Sequence, residues 1–123
     1  MLKEGDPRAQ AQAAYAAGLD ADTARPLAST LLDVLKSPDA ELRRLAAQAL
    51  RHCGAADSHV VPALTAALDD SSWKVQRSAA LALGHIGHGA SGALAPLRKL
   101  SRSANNLVRR AARQAITQIE AGK

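Results

Sequence analysis

Three histidines have the spacing that comes closest to a metal site in this chain. His85 and His88 stand three residues apart, and His52 lies 33 residues before His85. A zinc or iron site needs three or four converging ligands, usually with carboxylates or thiolates among them. No Asp or Glu is close in sequence to these histidines. We therefore predict no metal and no cofactor, and interpret the histidines as polar residues near helix C-termini, where an imidazole suits the helix dipole.

Cys53 is the only thiol and the only candidate nucleophile of that kind. It occupies a repeat position that Ile86 and Ile119 fill elsewhere, so a small buried hydrophobe is the better interpretation. A Gly-rich phosphate loop, a Ser-centred elbow and paired catalytic carboxylates are all missing from the sequence. We predict that the chain has no catalytic residues and is not an enzyme.

Three arginines, Arg44, Arg77 and Arg110, recur every 33 residues. A guanidinium suits either a ligand contact or the bracing of neighbouring turns through an acidic side chain, and the sequence leaves both roles open. The acidic candidates for such bracing are Asp39, Asp69 and Asp70.

Two apolar residues break the polar pattern of the middle repeat. Leu81 stands where the flanking repeats have Gln48 and Gln114, and we predict that it lies at the centre of a recognition surface. Trp73 is the sole tryptophan. It is predicted to pack across a turn onto the adjacent repeat, with a binding anchor as the alternative.

These residues belong to a repeat of 33 residues, in which segments 39–54, 72–87 and 105–120 align without gaps. Apolar residues at i, i+4, i+7, i+8 and i+11 form one stripe of an amphipathic helix. Each segment starts with a residue that can cap a helix: Asp39, Ser72 and Asn105. Gly54 and Gly87 are predicted to close the first two helices with a left-handed backbone.

A shorter apolar helix, with a proline in or near its first turn, precedes each segment. The unit is thus a helix A, a tight turn and a helix B. We predict an all-α, right-handed α-solenoid of about three helical hairpins with an N-terminal capping helix. Its single domain divides into residues 1–20 (N-terminal helix), 21–57 (first repeat), 58–90 (second repeat) and 91–123 (third repeat and C-terminal cap).

The charges of the chain are unevenly distributed. Residues 1–70 hold seven Lys or Arg against ten Asp or Glu, and residues 71–123 hold nine against Glu120 alone. Such a basic half can steer an acidic partner toward it. A single cysteine excludes an intrachain disulfide, and no apolar run suits a signal peptide or a membrane span, so we expect a cytoplasmic protein that does not bind membranes.

The strings LRRLAAQALRHCG, VQRSAALALGHIG and VRRAARQAITQIE resemble HEAT-like repeats of the phycobilisome-lyase type, whose consensus runs V-R-x-x-A-A-x-A-L-G-x-I-G. The resemblance covers residues 22–120 and implies stacked hairpins whose B helices line the concave face of a superhelix. This chain departs from the consensus at Arg51, where the family has glycine, and in a third repeat that lacks both glycines.

Repeats of this kind are general-purpose scaffolds, so we predict a non-enzymatic protein-interaction scaffold that binds through its concave face. The predicted binding residues are Arg44, Gln48, Arg51, His52, Arg77, Leu81, His85, Arg110, Gln114 and Gln118. Their mixed character suits a protein or peptide partner with acidic character.

Two alternatives stay open. The basic C-terminal half favours contact with a nucleic-acid backbone, as in HEAT-like DNA glycosylases, but it lacks a base-stacking aromatic residue, and its cations divide between helices A and B. A lyase-like chaperone subunit of a larger solenoid is the other alternative.

Overall fold

The structure is a computed structural model that describes residues 27–54 and 58–121. Within these ranges the helices form three successive pairs and no strand occurs. The pairs are α1 (Ala28–Val34) with α2 (Ala40–Leu50), α3 (Val60–Ala67) with α4 (Trp73–Ile86), and α5 (Leu94–Leu100) with α6 (Asn106–Ala121). The predicted all-α solenoid is confirmed. The predicted N-terminal helix of residues 1–20 lies outside the described residues.

The longer helix of each pair begins where the sequence predicted. The Asp39 carboxylate accepts the backbone N–H of Glu41 at 2.9 Å and caps α2. At the start of α6, Asn105 Oδ1 accepts two backbone N–H groups at 2.9 and 3.1 Å. Ser72 holds the cap position of α4, but its side chain makes no capping hydrogen bond to a described residue. Its own N–H instead donates to Asp70 Oδ1 at 2.9 Å.

The two glycines that were predicted to close helices have different roles. Gly87 ends α4 with a positive φ of 80°, but its ψ of −141° is extended and not left-handed helical. A 3-10 segment that the sequence did not predict, Gly87–Ala93, follows. Gly54 has no positive φ, so the predicted left-handed closure is wrong there. A Cβ atom on Gly54 would lie 2.6 Å from Ile86 Cγ1, which shows that the glycine makes room for the neighbouring helix.

Leucine and alanine build one continuous core through the three pairs. Its largest fully buried side chains include Leu31, Leu50, Leu64, Leu83, Leu97 and Ile119. Cys53 is completely buried within this core, as predicted. Helix α4 packs between α2 and α6, so the outward stripes of these three helices lie side by side. No helix in the described ranges is long and apolar enough to cross a membrane.

An ion pair braces the first pair of helices against the second. Arg43 Nε donates to Asp70 Oδ2 at 2.9 Å and Arg43 Nη2 to Asp70 Oδ1 at 3.1 Å. The two side chains are only 15% and 13% exposed. The Arg43 guanidinium also donates to the backbone carbonyl of Ser37 at 2.9 Å. A charge pair so shielded from water holds the two turns in a fixed relation.

The bracing arginine is therefore not one of the three recurring arginines, Arg44, Arg77 and Arg110. Asp70 was a predicted acidic partner, but it binds Arg43, while Arg44 pairs with Glu41 in its own helix. Arg109, two repeats after Arg43, likewise donates to the carbonyl of the preceding turn at 3.0 Å. Arg43 and Arg109 each lie one position before a recurring arginine. Successive side chains on a helix point in directions 100° apart, so the earlier position is the one that reaches the preceding turn.

Candidate binding groove

One face of α4 carries four side chains spaced four residues apart: Trp73, Arg77, Leu81 and His85. Four residues advance about 6 Å along a helix and turn slightly more than once around its axis, so these side chains form a row. Helix α2 lies along one side of α4. Several of the predicted binding residues meet in the space between these two helices.

Five of the ten predicted binding residues line a single cleft between α2 and α4. This cleft has a volume of about 180 Å³ and is lined by Arg44, Gln48, Arg51, Arg77, Ser78, Leu81 and Ala82. Leu81 is half-buried, with part of its side chain packed against the core and part facing the cleft. The apolar residue that was singled out in the sequence is thus accessible from solvent.

A second cleft continues the first toward the N-terminus of α4. It has a volume of about 290 Å³ and is lined by Glu41, Arg44, Trp73, Lys74, Arg77 and Ser78. The two clefts share Arg44, Arg77 and Ser78. We call the continuous surface formed by both sets of lining residues the α2/α4 groove.

Trp73 lies next to the adjacent repeat, as predicted, because it lines the groove together with Glu41 and Arg44 of α2. Its side chain is 39% exposed, so the alternative role of a binding anchor also stays open. Lys74 Nζ lies 5.8 Å from the centre of its ring, within the range of a cation–π contact. The spacing of four residues from Trp73 to Arg77 and again to Leu81 is the signal that identifies it.

The two arginines that line both clefts, Arg44 and Arg77, differ in how their charge is balanced. Arg44 donates two hydrogen bonds to Glu41, at 2.7 and 2.8 Å, and these hydrogen bonds lower the pKa of the Glu41 carboxyl and raise that of Arg44. The position equivalent to Glu41 is Lys74 in the next repeat. Arg77 is exposed, and within the described ranges it has neither an ion pair nor a hydrogen-bonding side-chain partner.

His85, at the C-terminal end of the α4 row, lies beside His52, which follows α2. The rings of His52 and His85 meet edge to face with centroids 5.8 Å apart, and Arg51 Nε donates to His52 Nε2 at 3.3 Å. Partial desolvation of the His85 ring lowers its pKa below 6.5, and the charges of Arg51 and His52 add to this. The lowered pKa favours the neutral form of His85, which lies in the last turn of α4, near the helix C-terminus as predicted. Within the described ranges, no three His, Cys, Asp or Glu side chains are placed to hold a metal ion.

The lowered pKa of His85 predicts a pH-dependent stability. The unfolded chain takes up a proton on His85 at a higher pH than the folded chain does. The free energy of unfolding therefore decreases as the pH falls below about 6.5. We expect His85→Gln to reduce the fall in melting temperature between pH 7 and pH 5. His52→Gln removes one cause of the shift and should have a smaller effect of the same sign. An unchanged pH profile in both variants would contradict the assignment.

The remaining predicted residues lie on α6, outside the groove. The Gln118 side chain covers Gly84. Arg110 and Gln114 are exposed and line neither cleft. The two clefts therefore leave out these three predicted residues and include Trp73 and Lys74, which were not among the predicted binding residues.

Two engineered proteins of known crystal structure, both from the Northeast Structural Genomics Consortium, share this fold. One is similar with a TM-score of 0.77 and 24% identity over 98% of this chain and 60% of its own. The other has a TM-score of 0.74 and 24% identity over 99% of this chain and 36% of its own. The chain thus spans less than two thirds of the length of either protein, and the likeness shows the fold alone.

No curated protein sequence matches the chain significantly. The family described as HEAT repeats matches residues 28–117, which include all three helical pairs down to the last turn of α6. On this match the chain belongs to the HEAT repeat family.

Proposed function

We propose that this chain is a non-enzymatic interaction scaffold that binds a protein or peptide in the α2/α4 groove. The observation that carries the proposal is the row on α4 in which accessible Trp73 and Leu81 stand on either side of Arg77, which has no ion-pair partner among the described residues. Aromatic and arginine side chains next to an apolar cleft are the usual anchors of protein interfaces. HEAT repeats are generally used for protein interactions, which supports binding over catalysis.

Finer parts of the proposal rest on the sequence. The resemblance of the three repeat strings supports a scaffold of the phycobilisome-lyase type with binding on the concave face. Arg110, Gln114 and Gln118 would then extend the contact surface beyond the groove for a larger partner. The single buried thiol of Cys53 supports a cytoplasmic location.

The basic residues of the last helical pair do not gather on one surface, which favours a protein partner over nucleic acid. Lys99 and Arg102 line a cleft of about 510 Å³ beside α3. Arg98 Nη2 lies 3.2 Å from Glu120 Oε2. Arg110 points outward from α6. A phosphate backbone is bound best by a continuous stripe of cations, which this distribution does not supply.

The proposal predicts that Leu81→Glu strongly weakens peptide binding. Peptides selected from a random phage-displayed library on the wild-type protein should bind the variant at least tenfold more weakly, because a carboxylate would replace the apolar wall of the groove. The affinities can be measured by fluorescence anisotropy with synthetic copies of the selected peptides.

Leu107→Glu is the matched control, since Leu107 is 42% exposed at the start of α6 and lines neither cleft. It should leave the affinities unchanged. Selected peptides that bind wild type and Leu81→Glu equally well would place the binding site elsewhere and overturn the proposal.

A further inference from the structure

Resting on this proposed function, we infer that the groove recognises an extended acidic segment of a partner protein. The segment places an Asp or Glu against Arg77 and an apolar side chain two residues away on each side, against Trp73 and Leu81. The pattern is apolar, any residue, acidic, any residue, apolar.

The positive charge of Arg77 at the centre of the groove favours the binding of a carboxylate. Arg44 already has its charge balanced by Glu41 at 2.7 Å. Arg77, which shares both clefts with it, has Lys74 in place of that acid and no described ion-pair partner. A guanidinium with free N–H groups binds a carboxylate through two parallel hydrogen bonds, which are short and strong.

The spacing along α4 sets the spacing of the partner. Arg77 lies about 6 Å along the helix axis from each of Trp73 and Leu81. In an extended chain, side chains on the same face are about 6.6 Å apart and belong to every second residue. The three positions of the groove therefore match residues i, i+2 and i+4 of an extended segment.

The size of the groove also favours an extended segment. Its two parts have volumes of about 290 and 180 Å³, which accept single side chains. A partner helix is about 10 Å wide with its side chains and would rest on the rim. An extended backbone can lie along the groove and insert alternate side chains.

The apolar surface of Leu81 favours a protein over a nucleic acid as the source of the anion. A nucleic-acid strand offers a base to stack on Trp73 and a phosphate for Arg77, but no apolar side chain to cover Leu81. A protein segment satisfies all three positions at once. The half-buried Leu81, packed on the core behind it, is thus a rigid wall suited to an aliphatic side chain.

The test uses two fluorescein-labelled, amidated peptides, Gly-Ser-Leu-Ser-Glu-Ser-Leu-Ser-Gly and the same peptide with Gln in place of Glu. Fluorescence anisotropy at fixed salt should show that the wild-type protein binds the Glu peptide about tenfold more tightly, the usual effect of one charge-assisted pair. Arg77→Gln should remove this preference, so that the variant binds the Glu and Gln peptides with equal affinity. Arg113→Gln, at an exposed arginine of α6 that lines neither cleft and is not among the predicted binding residues, should keep the preference and so control for net charge.

A third peptide tests the register. Moving the Glu next to the first Leu, without changing the composition, should lower the affinity to that of the Gln peptide. Equal affinities of the Glu and shifted peptides would overturn the extended pattern.

Several outcomes would overturn the inference. These are equal binding of the Glu and Gln peptides, no binding of either, or a preference that survives Arg77→Gln. Displacement of the Glu peptide by a single-stranded DNA 20-mer whose own binding also requires both Arg77 and Leu81 would assign the groove to nucleic acid. If library-selected peptides need Leu81 but no acidic residue, the inference fails while the proposed scaffold function stands. If no peptide depends on Leu81, the proposed function itself fails.

Discussion

Gly84→Ala is expected to lower the free energy of unfolding by about 2 kcal/mol, the range of an overpacked core position. A Cβ atom on Gly84 would lie 2.8 Å from Ala115 Cα and would also contact the side chain of Gln118. Gln118 can move, but Ala115 Cα belongs to the backbone of α6, so α4 and α6 must separate. Alanine favours a helix over glycine by about 1 kcal/mol, which offsets only part of this cost. Urea denaturation monitored by circular dichroism measures the difference.

Gly92→Ala is the matched control for this experiment. No described atom lies within 4 Å of a Cβ on Gly92, and its φ is not positive. The substitution should be neutral or stabilising by up to about 1 kcal/mol, because it restricts the unfolded chain. If Gly84→Ala proved as stable as Gly92→Ala, the close approach of α4 to α6 would be contradicted.

The consensus that these repeats resemble has glycine at the position that Gly84 and Arg51 share, and the structure shows how the two repeats differ there. Helix α4 continues past Gly84 to Ile86 and touches α6 there. Helix α2 ends at Leu50, so Arg51 falls at the helix end and its side chain lines the groove. The departure from consensus was visible in the sequence, but its consequence depends on where the helix stops.

Local features of the fold were predictable because their causes are local. The caps at Asp39 and Asn105 depend on a side chain and the N–H groups two or three residues ahead. The role of Gly54 was not predictable, since it is set by Ile86 on another helix. Ser72 occupies the predicted cap position of α4, but its side chain makes no capping hydrogen bond to a described residue.

The candidate site was predictable to the extent that it follows the repeat. Position equivalence identified Arg77 and singled out Leu81, and both line the groove. Trp73 was left between packing and binding, and Lys74 was missed, because their exposure depends on how α2 lies against the start of α4. Arg110 and Gln114 are equivalent by sequence to Arg77 and Leu81, but they lie on α6 and line neither part of the α2/α4 groove.

The second large effect is expected at the brace between the first two helical pairs. Asp70→Ala should destabilise the protein by about 3 kcal/mol at pH 7, because Arg43 would remain shielded from water without its counter-charge. The double variant Arg43→Met with Asp70→Ala should recover part of this loss, since neither charge is then left alone. Asp69→Ala, in the exposed neighbouring turn position, should change the stability by less than about 0.5 kcal/mol.

The pH dependence gives a second measurement of the same pair. Burial alone would raise the pKa of Asp70, but the hydrogen bonds from Arg43 and from the Ser72 N–H outweigh it, and the pKa lies below 3.8. A carboxyl with a lowered folded-state pKa contributes stability above its unfolded pKa and loses that contribution as the pH falls through the folded value. The difference in unfolding free energy between wild type and Asp70→Ala should therefore be constant from pH 7 to about pH 5 and shrink below about pH 4. A difference that persists unchanged into strong acid, or an equal loss in Asp69→Ala, would show that the Arg43–Asp70 pair does not join the two repeats.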